Sequence, residues 1–136
     1  MKGTYCLVVR LGKPVSVRVG RLGVLHFRPG YYAYVGSALN SLEKRIQRHL
    51  SPAEAKKKHW HIDYLLEHGD VAGVRVVVSP ERLECRMAER VGQLSGTPVK
   101  GFGCSDCSCK THLYYFPKNP LSNQEFEAVW KKGFRN

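Results

Sequence analysis

Long apolar runs are missing from this sequence. The longest aliphatic stretch near the N-terminus is Cys6-Leu7-Val8-Val9, which Arg10 ends. Four residues cannot form the core of a secretory leader, still less a membrane span. The expectation is therefore a cytoplasmic protein with no membrane partner. Acidic residues are scarce: 11 Asp plus Glu stand against 22 Lys plus Arg, a net charge of +11. This imbalance favours a polyanionic partner, nucleic acid ahead of an anionic lipid surface. A paired cysteine framework is also lacking. The five cysteines (6, 85, 104, 107 and 109) are odd in number and three of them crowd into six positions, a usage that suits a reducing compartment. Repeats, low-complexity tracts and linkers are absent, so the whole of residues 1–136 reads as one domain. With 43% hydrophobic residues, a chain of this length buries roughly two-thirds of its unfolded surface and builds a real core.

What is present begins with period-2 patterning. Residues 4–10 read as a strand and Gly12-Lys13-Pro14 as a turn. Val15, Val17 and Val19 alternate with Ser16 and Arg18, the mark of a half-buried strand. Val24–Phe27 and Tyr31–Val35 follow as further strands, making a β-meander of the first 36 residues. The period then changes. Asn40, with Glu43 three residues later, is the expected cap of a helix over 41–50 with Leu42 and Ile46 inward. Ser51-Pro52-x-Glu54 reads as a second capping box, and residues 59–68 as a helix. Residues 74–78 form a strand. Ser79-Pro80 opens a helix with a stripe of Leu83, Met87, Val91 and Leu94. A Gly- and Cys-rich loop spans 101–112, His112–Phe116 is a last strand, and Ser122 with Glu125 caps a final helix. The order predicts an α+β fold, a small, mainly antiparallel sheet flanked by helices.

One ordered set of residues stands out: Gly3-Thr4-Tyr5, then Tyr34-Val35-Gly36-Ser37, then Arg45 and His49. In a meander the first and last strands can lie side by side, which brings the two tyrosines together. Arg45 is three residues after Leu42 and four before His49, so it sits on the helix flank towards the sheet. A permanently charged, planar guanidinium held beside two phenols suits a phosphodiester. The plainer reading of each residue alone is a core aromatic or a solvent-reaching arginine.

The ordered set resembles the GIY-YIG nuclease superfamily, with G-T-Y and Y-V-G standing for its two strand motifs and Arg45 and His49 on the helix that follows. The two motifs lie further apart than in most members, and the extra hairpin of residues 13–29 accounts for the excess. The chain looks like one small prokaryotic branch carrying this hairpin, a branch also found fused to endonuclease-III-type proteins of DNA repair. Its marks are His59-Trp60-His61-Ile62-Asp63, Glu84-Cys85 and Gly101-Phe-Gly-x-Ser-Asp106-Cys107-x-Cys109.

The resemblance implies a Mg²⁺- or Mn²⁺-dependent endonuclease acting on nucleic acid, DNA above RNA, through one metal ion. Carried over residue by residue, it makes Glu84 the metal ligand. Tyr5 assists deprotonation of the attacking water, with Arg45 favouring its phenolate or clamping the phosphate. Tyr34 and His49 orient groups or share the proton traffic. Many members carry an asparagine after the metal helix. Residues 41–118 hold none, and Asp106 or His112 is the expected substitute. The plainer reading of Glu84 is a surface acid paired with Arg45 or Arg86. The rival to the enzyme is a noncatalytic, basic nucleic-acid-binding module on the same fold. Targeting is expected from a partner protein, since members usually draw it from an attached domain.

Two further groups complete the reading. Lys44, Arg48, Lys56, Lys57, Lys58, His59 and His61 form a basic segment with Trp60 among them, suited to backbone phosphates without sequence readout; Lys131, Lys132 and Arg135 add a tail patch. Cys104, Cys107, Cys109 and His112 could hold zinc. Their spacing is tighter than a usual finger, so small thiols in a glycine-rich loop are the favoured reading.

Overall fold

The computed structural model describes residues 2–52, 57–104 and 109–132. β1 (Gly3–Leu11) and β4 (Gly30–Ala38) are the central strands of an antiparallel sheet in the order β5-β1-β4-β7-β6, with β5 at Asp70–Val78, β6 at Thr97–Pro98 and β7 at Leu113–Phe116. β1 and β4 lie side by side as expected, but the first four strands are not a meander, because β1 pairs with β4 and β5 and not with β2. β1 pairs with β4 in the register Gly3↔Ala38, Tyr5↔Gly36 and Leu7↔Tyr34. Between them, β2 (Val15–Arg18) and β3 (Val24–Phe27) leave the sheet and pair only with each other. The helices are α1 (Leu42–Leu50), α2 (His61–Leu66), α3 (Glu84–Gly92) and α4 (Gln124–Lys132). The fold is α+β.

Alternation along the central strands sorts their side chains onto two faces, and both are covered. Tyr5, Leu7, Val9, Tyr32 and Tyr34 face a core completed by the β2–β3 hairpin, Leu42 of α1, and Ile62 and Leu65 of α2. Cys6, Val8, Ala33 and Val35 face the other way, onto Met87, Ala88 and Val91 of α3 and Phe126 and Trp130 of α4. This double coverage explains why β1 is buried almost throughout, where a one-sided sheet would alternate.

Several boundaries differ from the sequence expectations, each for a local reason. Ser41, not Asn40, caps α1: its side chain accepts the Lys44 amide at 3.2 Å. Asn123, not Ser122, caps α4 by accepting the amides of Glu125 at 2.8 Å and Phe126 at 3.2 Å. Pro120–Ser122 forms a short 3₁₀ turn before it. Ser79-Pro80 does not open α3. The Ser79 hydroxyl accepts the Glu81 amide at 3.1 Å, closing a local turn that postpones the helix to Glu84. α2 is shorter than 59–68 because Asp63 accepts the amides of both His59 and Trp60, at 2.8 and 3.0 Å, and so fixes the start of the helix. Ser51 opens no capping box: it is the C-cap of α1, and its hydroxyl donates to the Gln47 carbonyl at 2.9 Å. The rest of that expected turn from residue 53 on, and Lys56 with it, lies outside the described residues.

Candidate functional site

A cavity of about 310 Å³ opens where β1 and β4 end against α1 and α3, and Tyr5, Tyr34, Gly36, Arg45, Glu84 and His112 are among the residues lining it. The register places Tyr5 opposite Gly36. The phenol ring lies across that glycine: a Cβ there would stand 2.5 Å from the Tyr5 hydroxyl oxygen and 2.6 Å from its Cζ. Tyr34, two residues before Gly36, shares the face, and its ring centroid is 6.5 Å from that of Tyr5.

α1 brings His49 behind these rings. Its Nε2 and the Tyr5 hydroxyl share a hydrogen bond of 2.7 Å, and both residues are buried. His49 touches Tyr5 from within the core and does not line the cavity. Burial pushes the Tyr5 phenol up to about 12, although the Arg45 charge and hydrogen bond oppose it. Burial and the neighbouring Tyr5 likewise hold Tyr34 well above the usual phenol value. The guanidinium therefore does not make Tyr5 a phenolate near neutral pH, because desolvation outweighs it.

Arg45 is held from two sides. Its Nη1 donates to the Ser37 carbonyl at 2.9 Å, and its Cζ lies 4.3 Å from the Trp60 ring centre. Arg48, one turn on, also lies over Trp60, with Cζ at 4.6 Å. Its two terminal nitrogens donate to Asp63 at 3.0 and 3.1 Å, and one also donates to the Lys57 carbonyl at 2.7 Å. Asp63 is buried, which raises its carboxyl, but the hydrogen bonds from Arg48, Trp60 and His59 prevail and hold it below the usual carboxylate range. The sequence reading missed this clamp. Its signal was the acid three residues after Trp60, the N3 position of a capping box at the start of α2.

Glu84, the first residue of α3, lines the cavity with its side chain one-fifth exposed, 3.5 Å from Arg82. Its ion-pair neighbour is thus Arg82, in place of Arg45 or Arg86. A single carboxylate on an open cavity fits a hard cation that completes its shell with water and phosphate oxygens. His112 also lines the cavity, and burial keeps its imidazole below the usual value. Asp106 lies outside the described residues.

The basic segment is divided by the structure. Lys44, Lys57 and His59 are exposed. Lys58 pairs with Glu67 at 2.6 Å. Arg48 is committed to Asp63. His61 faces inward: its Nδ1 accepts the Gly103 amide at 2.8 Å and its ring packs on Phe102. Arg48 and His61 therefore hold the site's frame, while Lys44, Lys57 and His59 remain exposed on the described part of the segment.

Behind the cavity, Cys85, Cys109 and His112 bring two sulfurs and a ring nitrogen within 4.8 Å of one another, a group that could hold a metal ion. Cys85, on α3, was not among the sequence candidates for such a site. Cys104 is nearby, with its Sγ 3.9 Å from that of Cys109; Cys107 lies outside the described residues. No helix among the described residues is long and apolar enough to cross a membrane.

No curated protein and no solved structure matches this chain. The model of one protein family matches residues 4–134. The chain thus belongs to the family described as domain of unknown function DUF123.

Proposed function

We propose that the protein is a metal-dependent endonuclease that hydrolyses phosphodiester bonds in nucleic acid, DNA in the first place. The observation that carries this reading is the meeting of Tyr5, Tyr34, Arg45 and Glu84 in one cavity, although they come from three separate parts of the chain. A phenol, a fixed guanidinium and a carboxylate around an open space are suited to phosphoryl transfer.

The side chains divide the work. Lys44 and Lys57 attract the backbone of the nucleic acid. Arg45, fixed by the Ser37 carbonyl and Trp60, faces the phosphate and stabilises its added charge in the transition state. Glu84 would hold Mg²⁺ or Mn²⁺, which would supply Lewis-acid stabilisation of the leaving oxygen. Tyr5, with its raised pKa, is a poor stored phenolate. In this reading Tyr5 relays the proton: its oxygen takes one from the attacking water as its own passes to His49 Nε2 across the 2.7 Å contact. Tyr34 packs beside Tyr5 and keeps bulk water from that face.

The test is a panel of labelled DNA and RNA structures incubated with Mg²⁺ and with Mn²⁺. Nicking or cleavage is expected, lowered at least about 100-fold in Glu84→Gln and Arg45→Ala. Binding of the same substrates without any cleavage, in either metal, would instead establish a noncatalytic module.

A further inference from the structure

We propose that Cys85, Cys109 and His112 form the core of a structural zinc site that ties the first turn of α3 to the loop entering β7. Three donors converge there. Cys85 Sγ lies 2.9 Å from Cys109 Sγ and 3.5 Å from His112 Nε2, and Cys109 Sγ lies 2.9 Å from the same nitrogen. One ring nitrogen is thus approached by two thiols that also approach each other. One cation at the centre would be met by all three atoms. Soft sulfur with imidazole selects zinc over magnesium or calcium.

The distances suit an ion with small adjustment. Tetrahedral zinc sets its sulfurs about 3.8 Å apart and sulfur and nitrogen about 3.6 Å apart. The Cys85–His112 edge of 3.5 Å already fits, and the two edges of 2.9 Å need to open by less than about 1 Å. Cys104 Sγ lies beside the trio, 3.9 Å from Cys109 Sγ, and is a candidate for the fourth position.

His112 is held in place by the fold itself. Its amide donates to the Phe102 carbonyl and its carbonyl accepts the Val35 amide, both at 2.9 Å. Gly103 turns past it at a φ of +75°, where a Cβ would stand 3.1 Å from the His112 Cβ. Because the ligand frame is fixed by strand contacts on β4 and by α3, the ion would lock α3 to the loop entering β7 in addition to the apolar packing of α3 on the sheet. The zinc site does not depend on the nuclease reading, although His112 also lines the cavity that holds Glu84.

The full-length protein, prepared under reducing conditions with zinc supplied, is to be assayed for metal by mass spectrometry and then reconstituted with Co²⁺. About one zinc per chain is expected. The cobalt form should show a thiolate-to-metal charge-transfer band and tetrahedral d–d bands, reversed by added Zn²⁺. Cys85→Ser and His112→Asn should each weaken Co²⁺ binding at least about tenfold. Glu84→Gln should keep full zinc stoichiometry, so a failed cleavage assay and a failed zinc site remain distinguishable. If the variants do not fold, the cobalt spectrum of the parent protein decides. A parent protein that binds no zinc, a cobalt spectrum without thiolate charge transfer, or a mass two hydrogens light that maps to a Cys85–Cys109 disulfide would each overturn the proposal.

Discussion

Gly36→Ala is a one-methyl perturbation whose outcome follows from the contact between the two strand motifs. The added Cβ would stand 2.5 Å from the Tyr5 hydroxyl oxygen, 2.6 Å from Cζ and 3.1 Å from Cε1. Gly36 is not among the glycines with positive φ, so alanine suffers no backbone strain and the effect is steric alone. The clash cannot be relieved by a swing of the phenol. Tyr5 is 1% exposed, its hydroxyl is bonded to His49, and Tyr34 and His49 pack against its ring with centroids 6.5 and 5.4 Å away. Overpacking of this kind costs about 1–3 kcal/mol. Losing the Tyr5–His49 hydrogen bond adds about 1 kcal/mol. The sum of about 2–4 kcal/mol corresponds to a Tm lowered by roughly 6–14 °C for a chain of this size.

Urea unfolding followed by circular dichroism measures the cost, and the cleavage assay measures the displacement of Tyr5. The discriminating experiment is a double-mutant cycle with Tyr5→Leu, which removes the ring that the methyl strikes. In that background Gly36→Ala should cost less than about 0.5 kcal/mol, giving a coupling of about 1.5 kcal/mol or more. Activity should stay lost in both, because relief of strain does not restore the phenol. Equal costs of Gly36→Ala in the two backgrounds would refute the steric argument. A Gly36→Ala protein as stable and as active as its parent would refute the placement of Tyr5 as well.

Three other outcomes can be checked. Asp63→Asn weakens the paired guanidinium of Arg48 and should destabilise the fold by about 2–4 kcal/mol, less than the loss of a fully buried partner because Arg48 is 27% exposed and can reach water; intrinsic fluorescence of Trp60 should shift with it. Because the Asp63 carboxyl titrates below its unfolded value, its contribution is complete above about pH 4 and is lost as the pH falls through the folded value, so Asp63→Asn should flatten the acid limb of stability measured from pH 5 to 2. Tyr5 and Tyr32 both titrate at about 12 when folded, against about 10 when unfolded. Their contribution is present below pH 10 and lost as the pH rises towards 12, and Tyr5→Phe should reduce that alkaline loss in unfolding experiments. Finally, Arg45→Lys keeps the charge but loses the planar group that spans Ser37 and Trp60, and cleavage should fall at least about tenfold with little change in Tm.

The fold was legible where local rules and tertiary contacts agree. Strict alternation from Val15 to Val19 and the Gly- and Pro-marked turns located the hairpin, and the two central strands with α1 were each foreseen within a few residues. What escaped was set by side chains that reach the backbone over short distances. Ser41 and Asn123 displaced neighbours of equal capping propensity, and Ser79 closed a turn where a helix start was expected. β6, two residues long at Thr97–Pro98, has no pattern of its own and exists only through its pairing with β7. The meeting of Tyr5, Arg45 and Glu84 was legible through motif order. The roles of Arg48 and His61 were not, because a basic side chain on an exposed stretch looks the same in sequence whether it faces phosphate or a buried acid.

Cys85 shows most clearly why a ligand set can hide from sequence spacing. The loop cysteines and His112 lie within nine positions of one another, whereas Cys85 is 24 residues before Cys109 and belongs to a helix that reads as ordinary amphipathic structure. Its neighbour Glu84 lines the cavity while Cys85 reaches the sulfur cluster. Successive residues diverge by about 100° around a helix, so one turn of α3 can present a hard oxygen donor to the cavity and a soft sulfur donor behind it. The two donors select different ions, and neither can serve the other's site without rotating the helix. Fixing Cys85 therefore fixes the rotation of α3 and with it the direction of Glu84. On this basis, stripping the soft metal should lower the affinity for Mg²⁺ measured by titration of cleavage, and restoring zinc should recover it without any change in the residues that meet the phosphate.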